Sequence, residues 1–332
     1  MIECIFTIDY EIYGSGEGSL KELVYEPAEK LKYLFEKWNA PFIAFVEVAE
    51  LEMTEAQGSD PAINLVKDQI RDFHKKGFEL GLHLHPQWYD GKFENGKWFL
   101  NDTEYNLCTL PYERIAQIIE RAVAYFRQVL GIDNFTPLSF RAGNWLFQPT
   151  ESVASVLSGH GIKVDSSVFK GGLQHQHKLD YRRALENGFY WRFSDNVNVP
   201  DACGCLLELP IYTQMVPFWK MLTGKRVGMQ RKGYFAERNS LNKLNRIRDF
   251  LRFYYPLKFD FCRMTIDELT SMLDAVIRED RKTPNSFKPI VAIGHTKDLL
   301  DAETVDSFLS YLKQKGIVVS TFRDVYQKCS ES

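Results

Sequence analysis

A (β/α) barrel with an irregular basic insertion is the α/β fold that this 332-residue sequence predicts. Two observations lead to the barrel. Short apolar strands alternate with amphipathic helices, which implies a mainly parallel sheet with helices outside it. Polar side chains suited to chemistry then arise at many strand ends, where an open sheet would gather them at one crevice. A third observation gives the insertion, because between about Val168 and Met264 the alternation becomes irregular.

The strand candidates, in order, are Cys4 to Ile8, Phe42 to Val46, Phe78 to Leu82, Leu138 to Phe140, Ile162 to Val164, Leu206 to Leu209, Ile290 to Ile293 and Ile317 to Ser320. The clearest helix runs from Pro111 to Leu130. Proline stands near its start, Ile115, Ile118, Ile119, Ala122, Val123 and Phe126 recur at helical spacing, and Gly131 follows its end. Thr265 and Glu268 form a capping-box pattern ahead of Leu269, Met272, Leu273, Val276 and Ile277. Residues 1–169 and 265–332 are therefore expected to make the barrel, and 170–264 an insertion.

Hydrophobic content of 45% and a net charge of −3 are ordinary for a globular protein and give no case for nucleic acid. No apolar run approaches a transmembrane length, and Met1-Ile2-Glu3-Cys4-Ile5 reads straight into a strand, so a cytoplasmic location is expected. Six cysteines in a chain of this length make no disulfide framework. Between Lys220 and Lys258, eleven basic residues face two acidic ones. Within that segment Leu241, Leu244, Ile247, Leu251 and Tyr254 recur at helical spacing, so 240–256 reads as a basic amphipathic helix. It suits a packed helix with a solvated face, an anionic membrane surface or a phosphate-bearing substrate.

Chemistry concentrates first at His83-Leu84-His85, which caps an apolar run and precedes Pro86. Strand side chains alternate faces, so both imidazoles point to one side, a pair of nitrogen ligands for a divalent metal. Asp9 and Glu11 repeat that spacing after Ile5-Phe6-Thr7-Ile8. One of the two can ligate while the other takes a proton from water. His295 ends a further strand and fits a general acid; Arg141 and Asp165 occupy the same topological position on theirs. Gly14-Ser15-Gly16-Glu17-Gly18 reads as a mobile loop beside the site, and His175-Gln176-His177 as an exposed loop.

Thr7-Ile8-Asp9-Tyr10-Glu11, Glu79-Leu80-Gly81-Leu82-His83-Leu84-His85-Pro86, Phe140-Arg141-Ala142-Gly143, Val164-Asp165-Ser166-Ser167 and Ile293-Gly294-His295 follow one another along the chain. In that order they resemble the motifs of the polysaccharide deacetylase family (the NodB-homology domain, carbohydrate esterase family four). The resemblance implies a distorted (β/α) barrel and a metal, expected to be zinc. It implies a catalytic aspartate at Asp9 and a metal-binding acid at Glu11, with Asp9 itself an alternative ligand. His83 and His85 would complete the metal set. Arg141 would hold the base, Asp165 would tune the acid, and His295 would be that acid. Gln87 stands where the family usually has its second histidine, four places after His83, which is why the implied ligand is His85. The expected activity is hydrolysis of an acyl group from an N-acetylated sugar, on a nucleotide- or lipid-linked precursor of surface polysaccharide. Hydrolysis of another carbon–nitrogen bond, or silent sugar binding, stands as the alternative.

Overall fold

The structure, a computed structural model, describes residues 1–222 and 253–330. The basic helix expected over 240–256 lies largely outside the described residues. Nine strands form one sheet: β1 (Ile2–Tyr10), β2 (Ile43–Glu47), β3 (Glu79–Leu84), β4 (Ser139–Ala142), β5 (Val164–Asp165), β6 (Trp191–Phe193), β7 (Leu206–Glu208), β8 (Lys288–His295) and β9 (Val318–Val319). Their order is β6-β7-β5-β4-β3-β2-β1-β8, with β9 also on β1. Every pairing is parallel except β6 with β7. Residues 191–193 and 206–208 thus belong to the main sheet although they fall inside the stretch expected to be an insertion.

The sheet curls, and its two ends meet through single bridges. Ile211 bridges both Phe169 and Val291, and Asp260 bridges Ile293. A two-stranded ribbon, Thr213–Pro217 against Tyr254–Lys258, leaves the rim at this seam.

Period-two alternation sorts each strand into an outer and an inner row. On β1, Phe6, Ile8 and Tyr10 join the large core between the sheet and the outer helices, which include α1 (Glu26–Lys37), α2 (Val48–Gln57), α3 (Ile63–Lys75) and α4 (Tyr112–Leu130). Helix α4 ends at Gly131, whose φ of 69° gives the left-handed cap that glycine favours. Ile5 instead packs inside the barrel with Ile43, Phe45, Val164, Leu207, Leu209 and Val291. The C-terminal helix, Phe322–Ser330, closes that inner core with Phe322, Val325 and Cys329. Above this apolar floor the inner row turns polar: Thr7, Asp9, Glu47, His83, Arg141 and His295 are all buried.

Gly81 is the place where the interior tolerates no side chain. A Cβ there would lie 2.6 Å from the Phe45 ring and 2.8 Å from Ser139 Oγ. Phe45 in turn lies under the Arg141 guanidinium, 4.2 Å from its carbon. Gly81→Ala is therefore expected to destabilise the protein by about 1–3 kcal/mol, the usual cost of overpacking. A lowered midpoint in thermal or denaturant unfolding checks it, and an unchanged midpoint would show that the interior has slack.

Candidate active site and metal centre

Strand register brings the polar groups together. Asp9 pairs with His295 across β1 and β8, Glu47 with His83 across β2 and β3, and His83 with Arg141 across β3 and β4. All lie at the carboxyl ends of their strands, where parallel α/β barrels carry their sites.

Arg141, fully buried, reaches across the interior from β4 to β1. Its guanidinium donates to Asp9 Oδ1 at 2.6 Å, Thr7 Oγ1 at 3.0 Å, Ser166 O at 2.8 Å and Ser166 Oγ at 3.1 Å. Burial alone would raise the Asp9 pKa, but Arg141 and His295 outweigh it and hold the carboxyl below its usual range. The second oxygen, Oδ2, lies 3.3 Å from His295 Nε2. Burial keeps that imidazole neutral, with its pKa pushed down to about 4. On its far side Asp298 Oδ2 stands 3.5 Å from Nδ1, and Asp298 Oδ1 accepts from Arg263 at 2.8 Å.

Three ligand-type atoms converge beside this pair. Glu11 Oε2 lies 3.1 Å from His85 Nε2 and 3.5 Å from His83 Nε2. Ligands at about 2.0–2.1 Å around a tetrahedral zinc are spaced roughly 3.3 Å apart, so these separations suit a shared ion. His83 Nδ1 is 2.8 Å from the Arg141 carbonyl. Donation to that carbonyl puts the ring proton on Nδ1 and leaves Nε2 as a lone pair, the arrangement typical of a ligating histidine. His83 Nε2 is buried and makes no hydrogen bond. An orphaned nitrogen, a second imidazole and a carboxylate on one spot are a donor set that fits a divalent ion.

Charge supports the same reading. Glu11 Oε1 accepts from Lys297 Nζ at 2.9 Å, and this cation, with His85, overrides burial to hold Glu11 well below the carboxylate range. Lys297 and Arg141 thus neutralise Glu11 and Asp9 in turn. Two further acids remain in excess. Glu47 Oε2 accepts from the His85 backbone at 2.7 Å, and Glu50 accepts from the Ile12 backbone at 3.1 Å. Burial lifts the Glu47 pKa to about 8 and that of Glu50 well above its ordinary value. One ligand-type atom from each of Glu11, Glu47, His83 and His85 lies within 4.8 Å of the others. Positive charge is what this cluster lacks. Unless a cation takes that place, the surrounding carboxylates draw a proton to His83 instead, lifting its pKa to about 9 against burial.

Asp165 stands apart from this constellation. Its strand neighbour Val164 faces the interior, so Asp165 points to the other face. There it accepts from Ser167 Oγ at 2.7 Å and pairs with Glu208 of β7. No hydrogen bond or ion pair joins it to His295; the acid beside His295 is Asp298. Glu47, Glu50, Lys297 and Asp298 were not anticipated. Glu47 directly follows the strand candidate ending at Val46, so the strand-end argument would have reached it. Glu50 lies in the first turn of α2, and Lys297 and Asp298 lie on a 3-10 turn, placements that the sequence pattern does not reveal. His175–His177 forms a short 3-10 turn on which His177 stacks against Tyr105, ring centroids 4.8 Å apart.

No protein-family model and no curated sequence matches the chain. Among solved structures, a protein from Mycobacterium smegmatis that carries the name polysaccharide deacetylase matches with a TM-score of 0.54 at 14% identity, over 99% of this chain and 90% of that one. Another so named, from Pseudomonas aeruginosa PAO1, matches at 0.51 and 12% identity, over 98% and 90%. The chain has the polysaccharide deacetylase fold. A GH57 branching enzyme from Thermococcus kodakaraensis shares it at a TM-score of 0.57 and 12% identity, over 98% of this chain and 70% of that one. Identity this low speaks to the fold alone. No helix among the described residues is long and apolar enough to cross a membrane.

Two outcomes test the electrostatics of this deacetylase-fold interior. Glu47→Gln keeps an acceptor for the His85 amide but removes the carboxyl that a bound cation would ionise, so zinc affinity in a chelator competition is expected to fall by about ten- to hundredfold, the usual cost of losing a group that supports a metal ligand. Unchanged affinity would remove Glu47 from the centre. Burial, then the Asp165 charge, raises the Glu208 pKa well above its ordinary value, while burial raises that of Asp165. The folded pair therefore binds more protons than the unfolded one above about pH 4, and stability contributed by the pair declines as pH rises. Glu208→Gln should accordingly raise the melting midpoint relative to wild type, by a margin that grows to about 2 °C between pH 4 and pH 8. A margin independent of pH would refute the shared proton.

Proposed function

We propose that the protein is a metal-dependent hydrolase that removes the acyl group from an N-acylated sugar. The observation that carries the proposal is the adjacency of two units: an Asp9 carboxylate clamped between Arg141 and His295, and the convergence of Glu11, His83 and His85 on one point. Held by His83, His85 and Glu11, a divalent ion (zinc suits the nitrogen-rich set) would supply a Lewis acid that polarises a carbonyl oxygen and acidifies water.

The remaining work falls to side chains of the chain itself. Arg141 keeps Asp9 ionised and fixes Oδ1, so that Oδ2 is the free basic atom and takes the proton of the attacking water. His295 Nε2, beside that oxygen, is placed to carry a proton to the departing amine nitrogen. An imidazole with a depressed pKa is a strong acid once protonated, which suits a basic leaving group. Asp298 on its other side offers a negative charge to the transient imidazolium. Attack of water on the amide carbonyl, cleavage of the carbon–nitrogen bond and proton delivery to nitrogen release the acid and a free amine.

The deacetylase fold of the neighbours supports a carbohydrate substrate. The basic excess between Lys220 and Lys258 supports a phosphate-bearing one, such as a nucleotide- or lipid-linked precursor made in the cytoplasm. Acetate release from N-acetylhexosamine donors of both kinds, with added zinc, tests this. His83→Ala should lose bound metal and at least about a hundredfold in rate, whereas Asp9→Asn should keep the metal and lose comparable rate. Full activity in His83→Ala would sink the metal-dependent reading.

A further inference from the structure

One cation at the rim is left unexplained by this chemistry. Lys258 ends the ribbon strand Tyr254–Lys258 at the seam where the barrel closes, opposite Thr213. Its Nζ lies 3.0 Å from the centroid of the Trp145 ring and 4.9 Å from that of Phe169. The Trp145 ring stands edge-to-face with the His295 imidazole, centroids 6.0 Å apart, so one indole separates the ammonium from the proposed acid.

The turn that holds this indole is strained. Asn144 and Trp145 have φ of 54° and 59°, a left-handed pair that tryptophan rarely accepts. Gly143 makes the turn possible, since a Cβ there would lie 2.6 Å from Leu84 O and 2.8 Å from the His85 ring. Tyr181 Oη locks it by donating to Trp145 O at 2.6 Å. The fold therefore presents Trp145 at the rim against a conformational cost.

Lys258 is half-buried, yet no carboxylate lies within ion-pair distance of it among the described residues. The charges of Asp260 and Asp9 reach Lys258 through space, but their direct contacts are elsewhere, Asp9 with Arg141 and Asp260 with the backbone amides of Cys262 and Arg263, and Asp298 pairs with Arg263. A second donor on the same pair is also unsatisfied, because Trp145 Nε1 is buried without a hydrogen-bond partner among the described residues. Burial pushes the Lys258 pKa down to about 7, so an anion seated here would hold the ammonium charged on the face of the indole, next to His295.

We propose that Lys258, seated on Trp145, receives a negatively charged substituent of the substrate sugar, a phosphate or a carboxylate, beside the acyl-amino group that the centre cleaves. The proposal rests on the acyl-amino sugar reading and adds the charge of the substrate to it. Lys258 is a specificity residue, since it meets the anion and not the reacting atoms.

Calorimetric titration with N-acetylglucosamine, its 1-phosphate and its uronic acid tests the idea on wild type and on Lys258→Met, which keeps an apolar chain over the indole. At least one anionic sugar should bind wild type about ten- to hundredfold more tightly than the neutral one. That margin should collapse to within about twofold in Lys258→Met while affinity for the neutral sugar is retained, and Lys258→Arg should restore a margin. Whichever anion shows the larger margin identifies phosphate or carboxylate as the source. Equal affinities in wild type, or a margin that survives in Lys258→Met, would overturn the assignment of Lys258 while leaving the sugar reading intact. Failure of all three sugars to bind would overturn both.

Discussion

The interior of this barrel is organised around one ion pair, Arg141 with Asp9. An arginine at 0% exposure is sustainable only if its donors are met, and here four protein oxygens meet them across three strand ends. The pair fixes more than itself. Arg141 lends its carbonyl to His83 and rests its guanidinium on Phe45, and Phe45 requires the absence of a side chain at Gly81. Asp9, His83 and the apolar floor beneath them are thus parts of one arrangement. Removing either charge would strand the other in a medium that cannot solvate it.

Next to this neutral pair stands a region with too much negative charge for its surroundings. Lys297 satisfies Glu11, but nothing comparable satisfies Glu47 or Glu50, which hold only backbone amides. A protein interior tolerates such an excess when a proton or a cation settles it. The two imidazoles facing Glu11 are donors that could hold a dication there. The charge balance and the coordination geometry are separate arguments, and they converge on the same few ångströms.

Much of the fold was legible because period-two and period-3.6 patterns are written in residue type. All eight strand candidates coincide with strands of the main sheet, from Ile2–Tyr10 to Val318–Val319. The missed strand, Trp191–Phe193, is three residues long, antiparallel and at the end of the sheet, so it carries too little pattern to read. Residues next to a strong apolar run, such as Asp9, His83 and His295, could be placed at the mouth from spacing alone. Asp165 could not, because a strand of two residues does not announce which of them faces inward. Lys297 and Asp298 matter through the 3-10 turn that folds them back beside His295, and Lys258 was only one basic residue among eleven until the ribbon placed it on Trp145.

The seam at Ile211 has a further consequence. Elsewhere the sheet is joined by ladders of two to eight paired residues, but here single bridges to Phe169 and Val291 suffice. A joint so sparse imposes little register on what enters and leaves it. Segments of very different length could be spliced between residues 213 and 258 without disturbing a single rung of the parallel ladders. The rim beside His295 is therefore a part of the architecture free to diversify, and a lineage could change what it admits while inheriting the buried floor unaltered.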